Sequence, residues 1–284
     1  MKNLNIKKSG TRMSISILVI FFTFISIHES KAQFKPTQEI GIIGGTSYYI
    51  GDLNSTHFNN IQMGGGLTFR KNFDRRFTFK SSAIFSSIKG DDRNSSDQTK
   101  VNRNLHFKSD IMELSGQVEF NFLPYETGNP LYSWTPFVFA GVSLFHYNPK
   151  AEASDGQWYE LQELGTEGQG TTLPGKSHLK KYSLTQLSIP FGGGIKVAVN
   201  PNFNIIFEYG LRKVFTDYLD DVSTTYAGLP TEFDPITIEL ADRSLDGPKL
   251  EGEERGISTN NDWYSFSGIT LSFTLQNNTK GCDY

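Results

Sequence analysis

The chain has 284 residues, with 27 Lys+Arg against 30 Asp+Glu and one cysteine. This near-neutral balance gives no basic surface for nucleic acid, and one cysteine excludes an intramolecular disulfide or a Cys-based zinc site. With 23 Phe, 12 Tyr and 27 Gly at a mean hydropathy of -0.37, the composition favours an all-β protein over a helical membrane bundle.

The first 32 residues have the pattern of a secretory signal peptide. Basic residues precede an apolar run of 14 residues, 14–27, which is shorter than the roughly 18 residues that a spanning helix needs. Small residues Ser30 and Ala32 precede Gln33, so we expect cleavage after Ala32. Residues 33–284 are predicted to form one domain, with 22 basic and 29 acidic residues and a net charge of -7.

Eight segments of the mature chain alternate apolar and polar residues with a period of two, which predicts β-strands. In chain order they are residues 39–50, 61–71, 77–89, 111–122, 135–147, 189–199, 203–213 and 263–276. In the fourth segment, for example, Met112 and Leu114 share one face, and Glu113 and Glu119 share the other. The segments match the length of membrane-spanning strands, about 9–11 residues, and exceed the usual strand of a soluble sheet.

The polar faces distinguish a membrane barrel from a soluble sandwich. They carry Gly, Ser, Thr, Asn and Gln with a few charges, whereas the solvated face of a sandwich would be rich in charge. These charges nearly balance, as buried charges in a narrow lumen must; the alternative is ordinary surface charge. The predicted lumenal charge network is Glu39, Arg70, Lys80, Glu113, Glu119, Lys196, Glu208 and Arg212. We therefore predict an all-β, eight-stranded antiparallel transmembrane β-barrel of the outer-membrane type with a closed lumen.

The connections between these strands alternate in length. Short ones follow the second, fourth and sixth strands, at residues 72–75, 123–134 and 200–202. Long ones follow the first, third, fifth and seventh strands, at residues 51–60, 90–107, 148–181 and 214–262. Outer-membrane barrels keep their periplasmic turns short and their outer loops long. We therefore expect a protein of the Gram-negative outer membrane, in contact with its lipid, with periplasmic N- and C-termini and a short periplasmic tail that includes Cys282.

Motifs for catalysis or cofactor binding are absent from the sequence. No glycine-rich phosphate loop, HExxH, nucleophile elbow or paired-Cys motif occurs, so we expect no enzyme activity and no cofactor. The best alternative is a lipid hydrolase at the barrel rim, with His106 and Ser109 or His146 and Ser143 as its catalytic pair. Nothing in the local sequence marks an oxyanion hole for either pair.

One acidic cluster has the composition of a calcium site. Asp217, Asp220 and Asp221 lie close together in the last long loop, and calcium prefers several carboxylate oxygens. Their spacing matches no EF-hand loop. Because Asp also favours turns and caps, we prefer the interpretation of a hydrogen-bonded loop without metal.

Six segments of the mature chain are specific enough to compare with known families. They are EIGIIGGTSYYIGDLN (39–54), NLHFKSDIMELSGQVEFNFLPY (104–125), TPFVFAGVSLFHYNPKA (135–151), WYELQELGTEGQG (158–170), QLSIPFGGGIKVAV (186–199) and FEYGLRKVFTDYLDDVSTTY (207–226). These segments closely resemble the PorG family, outer-membrane barrel proteins of the type IX secretion system in the Bacteroidota. The resemblance covers nearly the whole mature chain.

This resemblance implies a function that the residue patterns do not give. It implies an eight-stranded barrel that anchors or contacts the periplasmic ring made by the lipoprotein PorK and its partner PorN. That role serves the export of cargo with C-terminal sorting domains and, in some members, gliding motility. The alternative from the residues is a structural or adhesive barrel that acts through its extracellular loops.

Overall fold

The computed structural model describes residues 34–275, except residues 173–178, 229 and 232. The predicted signal peptide and Cys282 lie outside the described residues. The strands are β1 Thr37–Ile50, β2 Gln62–Asn72, β3 Phe77–Asp91, β4 His106–Asn121, β5 Trp134–Glu152, β6 Trp158–Glu160, β7 Thr185–Asn200, β8 Phe203–Val214 and β9 Trp263–Leu275. The helices are α1 Gln98–Arg103, α2 Leu161–Leu164 and α3 Pro235–Ala241, with 3-10 turns at Asp92–Asn94 and Pro130–Tyr132. Among the described residues, no helix is both long and apolar enough to cross a bilayer.

Eight of these strands close into an antiparallel barrel. Neighbours in sequence pair from β1 to β5, then β5 pairs with β7, β7 with β8 and β8 with β9. The sheet closes because β9 also pairs with β1, from Gln38 opposite Leu275 to Ile50 opposite Trp263. The short β6 pairs with the far end of β5. The predicted eight-stranded antiparallel barrel is confirmed.

An apolar belt surrounds the middle of the barrel. In β4, Met112, Leu114 and Val118 point outward and are exposed, whereas Glu113 and Glu119 between them point inward and are buried. Large apolar side chains are exposed in the same way on the other barrel strands. A continuous apolar surface of this size on a closed barrel is a lipid-facing surface, so the protein spans the outer membrane.

The polarity of the wall reverses at the long-loop end. There Lys89 and Lys108 point outward, whereas Ile88, Phe107 and Tyr147 point inward and are fully buried. Beyond the lipid the outer face meets water, so polar residues belong outside and the inside becomes a hydrophobic core.

Three predicted strand boundaries differ from those of the structure. β4 begins at His106 rather than residue 111, β5 continues to Glu152 rather than residue 147, and β7 begins at Thr185 rather than residue 189. The period of two continues through these extensions. In β4 and β5 the faces exchange polarity, so a search for strands with one constant apolar face ends too early there. In β7 the exchange is absent, since Leu187 points outward and Ser188 points inward.

The long connections pack over this end of the barrel as a cap, defined as residues 51–61, 92–105, 153–172, 179–184, 215–228, 230–231 and 233–262. Its buried core joins Leu105, Leu219 and Leu240 of the connections to Tyr49 and Phe107 of the wall. The cap is thus built on the upper strands as one hydrophobic cluster. The residues that the sequence assigned to loops form a folded structure here.

Glycines line the inner wall where aromatic rings approach it. A Cβ atom at Gly194 would lie 2.0 Å from the carbonyl oxygen of Phe207 and 2.8 Å from Cε1 of Phe137. Such distances leave no room for a side chain. The triple glycine of β7 therefore permits the close approach of strands and rings inside the barrel.

Candidate functional site

Five charged side chains form one network in the middle of the lumen. Arg70 Nε donates to Glu119 Oε1 at 3.2 Å, and Arg70 Nη2 donates to Glu208 Oε2 at 3.0 Å. Lys80 Nζ lies 2.5 Å from Glu208 Oε1, and Lys196 Nζ lies 2.6 Å from Glu119 Oε2. None of the five is more than 1 % exposed. Each carboxylate therefore serves two cations, as burial of several charges together requires.

Above this network, Arg212 forms a second lumenal ion pair. Its Nε and Nη2 donate to the two carboxylate oxygens of Glu113 at 3.1 and 3.3 Å, and Tyr264 donates its hydroxyl to Glu113 Oε2 at 2.6 Å. Arg212 Nη1 also donates to the carbonyl oxygens of Gly210 and Phe266. The pair is therefore held by hydrogen bonds as well as by charge.

Glu39 is the remaining sequence-predicted lumenal charge, and polar groups hold it. It accepts hydrogen bonds from Asn72 Nδ2 at 2.7 Å and from Ser272 Oγ at 2.9 Å. All eight residues of the predicted network therefore lie inside the barrel. Their direction follows from the alternation of inward and outward side chains along each strand.

Aromatic rings occupy the space beside the lumenal charges. Lys196 Nζ lies 4.9 Å from the centre of the Phe137 ring, and Lys80 Nζ lies 5.3 Å from the centre of the Phe139 ring. These distances allow cation–π attraction. The middle of the lumen is filled with side chains, as expected of an eight-stranded barrel.

The two candidate catalytic pairs are not assembled. His106 and His146 point outward, whereas Ser109 and Ser143 point inward, because a spacing of three residues places side chains on opposite faces of a strand. Ser143 Oγ instead hydrogen-bonds Ser188 Oγ at 2.5 Å.

The three aspartates of the predicted calcium candidate have separate environments. Asp220 accepts from the Tyr49 hydroxyl at 2.5 Å and from the backbone N–H of Val222 at 2.9 Å. Asp221 accepts hydrogen bonds from the hydroxyl of Tyr182 at 2.7 Å and from the hydroxyl of Thr166. In the part of the chain that the structure describes, no three His, Cys, Asp or Glu side chains are grouped to hold a metal. The structure does not bring the three aspartates together as ligands.

These cap carboxyls have raised pKa values. Burial raises the pKa of Asp217 to about 7, with further contributions from Asp52 and Glu167, and burial raises the pKa of Asp221 to about 6. Asp220 also has its pKa raised, by burial first and then by the charge of Asp52. A hydrogen bond from Ser223 lowers the pKa of Asp217 but does not offset the effect of burial. The cap is therefore more readily folded when these groups are protonated.

Glu167 and Arg255 hold the cap together, and the sequence did not reveal them. Glu167 accepts hydrogen bonds from the backbone N–H groups of Ser223 and Thr224, and Arg255 Nη1 lies 3.1 Å from it. Arg255 Nη1 also donates to the carbonyl oxygen of Asp221 at 2.6 Å. Arg255 directly follows the acidic run 251–254, which reads as exposed, yet Arg255 itself is buried. The sequence feature that could have indicated a buried ion pair is the basic residue Arg255 at the end of an acidic run.

The connection between β4 and β5 folds across the short-turn mouth of the barrel. Tyr125 and Thr127 both donate their hydroxyls to Asn204 Oδ1, at 2.9 and 3.2 Å. Arg75 from the neighbouring turn lies 2.8 Å from Glu126. We call residues 72–76, 122–133 and 200–203 the inner-rim platform. The Arg75–Glu126 pair joins the first two connections, and Asn204, which directly follows the third connection, binds the second.

An apolar side chain protrudes from this platform. Leu131 lies in the 3-10 turn Pro130–Tyr132, and its backbone N–H donates to Oδ1 of Asn129 at 3.1 Å. The guanidinium of Arg75 packs 4.5 Å from the ring centre of Tyr132. Leu131 is nevertheless 84 % exposed. Leu131 is the most exposed of the large apolar side chains that the platform presents, which also include Phe73, Phe122 and Leu123.

Comparisons with known proteins identify a family and do not assign a role. Residues 15–162 match the family described as a domain of unknown function, DUF6089. A search of curated proteins finds no match.

The chain is also similar to several solved structures. Ail, the attachment invasion locus protein of Yersinia pestis, is 10 % identical at a TM-score of 0.41, and the match covers 85 % of this chain and 100 % of Ail. Neisserial surface protein A is 9 % identical at a TM-score of 0.42, with the same coverages. The N-terminal barrel domain of Pseudomonas aeruginosa OprF is 11 % identical at a TM-score of 0.34, again with coverages of 85 % and 100 %. The fold assignment rests on the strand pairing of the chain itself.

Proposed function

The chain belongs to the DUF6089 family, a domain of unknown function, and we propose that it acts as a non-enzymatic outer-membrane anchor for a periplasmic protein complex. The complex is the ring of PorK and PorN in the type IX secretion system, which exports cargo with C-terminal sorting domains and supports gliding in motile cells. The resemblance of six sequence segments to PorG supports this choice of partner.

The inner-rim platform is the observation that carries the proposal. Short turns of outer-membrane barrels face the periplasm, so the platform meets the compartment in which such a ring lies. Binding sites gain affinity from apolar groups that are held in place before the partner arrives. Leu131 is such a group, because capping by Asn129 and packing against the neighbouring turn fix its backbone.

The filled lumen supports an anchor rather than a conduit. Charged and aromatic side chains from opposite walls meet in the barrel centre. A partner therefore acts on the rim, and cargo passes elsewhere.

A pair of matched variants tests the proposal. Leu131→Asp puts a charge on the platform, and Leu250→Asp makes the same change at a similarly exposed leucine of the cap, at the opposite rim. We expect Leu131→Asp to abolish co-purification of PorK and PorN in mild detergent and to stop export of sorting-domain cargo. Leu250→Asp should leave both intact. Normal ring recovery and export with Leu131→Asp would contradict the platform as the docking site, and normal export after deletion of the whole protein would contradict the secretion role.

A second candidate function is adhesion through the cap. Leu245, Leu250 and Ile257 are all exposed on the last long connection, and apolar groups at this surface favour contact with another macromolecule or surface. Adhesion predicts the opposite result from the same variants. Leu250→Asp would then reduce attachment of cells to surfaces, and Leu131→Asp would not.

A further inference from the structure

Three lysines form a row across the outer wall of the barrel at its long-loop end. Lys89 of β3 lies directly opposite Lys108 of β4, and Lys108 lies directly opposite Lys150 of β5. All three side chains point outward. Cβ atoms of directly opposed residues are about 4.5–5.5 Å apart, and like charges in that arrangement destabilise a sheet. We call these residues the lysine row. A bound anion would relieve the repulsion between the three positive charges.

Carboxylates of the protein neutralise only part of the positive charge of the lysine row. Lys150 Nζ lies 2.9 Å from Glu160 in an exposed ion pair, and Asp110 points outward one row closer to the membrane. Among the described residues, neither Lys89 nor Lys108 has an ion-pair partner. Asp110 lies between two uncharged outward residues on the neighbouring strands. Ser87 of β3 lies opposite it on one side and Asn148 of β5 on the other.

A half-exposed tryptophan stands beside the row. β6 pairs with the end of β5 and so places Trp158 against the outer wall, where its ring also meets the edge of the His106 ring. Trp158, Lys108, Asp110, Asn148 and Lys150 line a pocket of about 140 Å³. An aromatic face beside a carboxylate, an amide and two ammonium groups suits a sugar ring, whose C–H face packs on the tryptophan while its hydroxyls bond the polar groups. We call this the outer-wall pocket.

The depth of this site matches the lipid headgroups. The last apolar row on these strands contains Phe85 opposite Met112. Phe85 is four residues from Lys89 along β3, and Met112 is four residues from Lys108 along β4, in both cases on the membrane side. At about 3.3 Å per residue and a tilt near 40°, the row lies about 10 Å beyond the apolar belt along the membrane normal. Lysine stems reach several ångströms towards the interface. The ammonium groups therefore lie level with the headgroups and sugars of the outer leaflet.

We propose that the outer-wall pocket and the lysine row bind the phosphorylated sugar headgroup of an outer-leaflet glycolipid. Trp158 packs against a sugar ring, Asp110 and Asn148 accept or donate hydrogen bonds to its hydroxyls, and Lys89 and Lys108 bind its phosphates as point charges. The site lies on the wall facing the lipid, so the lipid reaches it by lateral diffusion. This inference depends on the orientation of the barrel and not on the periplasmic partner proposed above.

The test measures lipid binding to the purified protein in detergent micelles by native mass spectrometry. The probes are bisphosphorylated lipid A, the same lipid after removal of its phosphates, and inorganic phosphate. Lys89→Gln with Lys108→Gln removes the unpaired charges of the row. Lys71→Gln with Lys213→Gln removes two outward, exposed lysines elsewhere on the wall and is the matched control.

We expect the wild type to bind bisphosphorylated lipid A about tenfold more tightly than the dephosphorylated lipid. The row variant should lose this preference and the control pair should keep it. Trp158→Ala should weaken both lipids equally, and Trp158→Phe should restore most of the affinity. Retained heat-resistant gel mobility verifies that each variant is folded.

Three results would overturn the proposal. The first is an unchanged phosphate preference in the row variant. The second is an equal loss in the control pair, which would show that any outward lysine suffices. The third is displacement of the lipid by inorganic phosphate at the same concentration, which would make the row a site for free phosphate rather than for a glycolipid.

Discussion

Replacement of Arg212 by methionine should destabilise the barrel strongly. The side chain is fully buried, and its loss leaves the Glu113 carboxylate in the lumen with the Tyr264 hydroxyl as its remaining hydrogen-bond donor of those described. Removal of one partner of a buried ion pair typically costs about 3–5 kcal/mol, because the other charge stays buried without compensation. The free energy of unfolding of Arg212→Met should fall by that amount.

An exposed ion pair at the inner rim supplies the control. Arg75 lies 2.8 Å from Glu126, with side chains that are 35 and 26 % exposed. Exposed pairs contribute about 0–1 kcal/mol, so Arg75→Met should change the free energy of unfolding by no more than that. Urea titrations of both variants folded into lipid vesicles, followed by the gel mobility difference between folded and unfolded barrel, measure the two values.

The double variant Arg212→Met with Glu113→Leu separates charge burial from loss of packing. Well-packed apolar replacements of a buried ion pair are often neutral or stabilising. We therefore expect the double variant to recover most of the stability that Arg212→Met loses. If Arg212→Met costs no more than Arg75→Met, water solvates Glu113 and the reasoning about a dry lumen is wrong.

Two further predictions concern the cap and the wall. Burial raises the pKa of Asp217 to about 7 from an unfolded value near 4, so folding favours its protonated form. The wild-type cap should thus lose stability as pH rises from about 4 to about 7, and Asp217→Asn should show a smaller loss over the same range, in thermal scans or limited proteolysis. Gly194→Ala should prevent folding to the heat-resistant form, since its Cβ would lie 2.0 Å from the Phe207 carbonyl oxygen. Gly44→Ala, where no atom lies within 4 Å of the new Cβ, should fold normally, and equal behaviour of the two would contradict the close approach.

The sequence predicted which side chains face the lumen because strand geometry leaves no choice. In a strand, residues of one parity share a face, so the apolar belt fixes the direction of Arg70, Glu113 and every other charge between belt positions. The ion pairs could not be predicted in the same way. Arg70 and Glu208 are 138 residues apart, and their contact depends on the stagger and curvature of the closed sheet.

The cap was beyond prediction for a different reason. Its core combines inward residues of the extended strands, such as Phe107, with isolated apolar residues of the connections, such as Leu219 and Leu240. Those isolated residues have no period. The helix α3 has recognisable start signals, an Asp234 cap followed by proline, but its seven residues are too short for an amphipathic pattern to stand out.

Arg70 joins wall strands that do not touch one another, since it extends from β2 to carboxylates on β4 and β8. A hollow cylinder of strands flattens easily under sideways pressure, whereas a cylinder with internal cross-struts keeps a round section. The lateral pressure of the bilayer therefore changes the shape of this barrel little. The lumenal ion pairs hold strands on different sides of the barrel at a fixed separation. A force applied at one rim is therefore expected to act on the barrel as a whole.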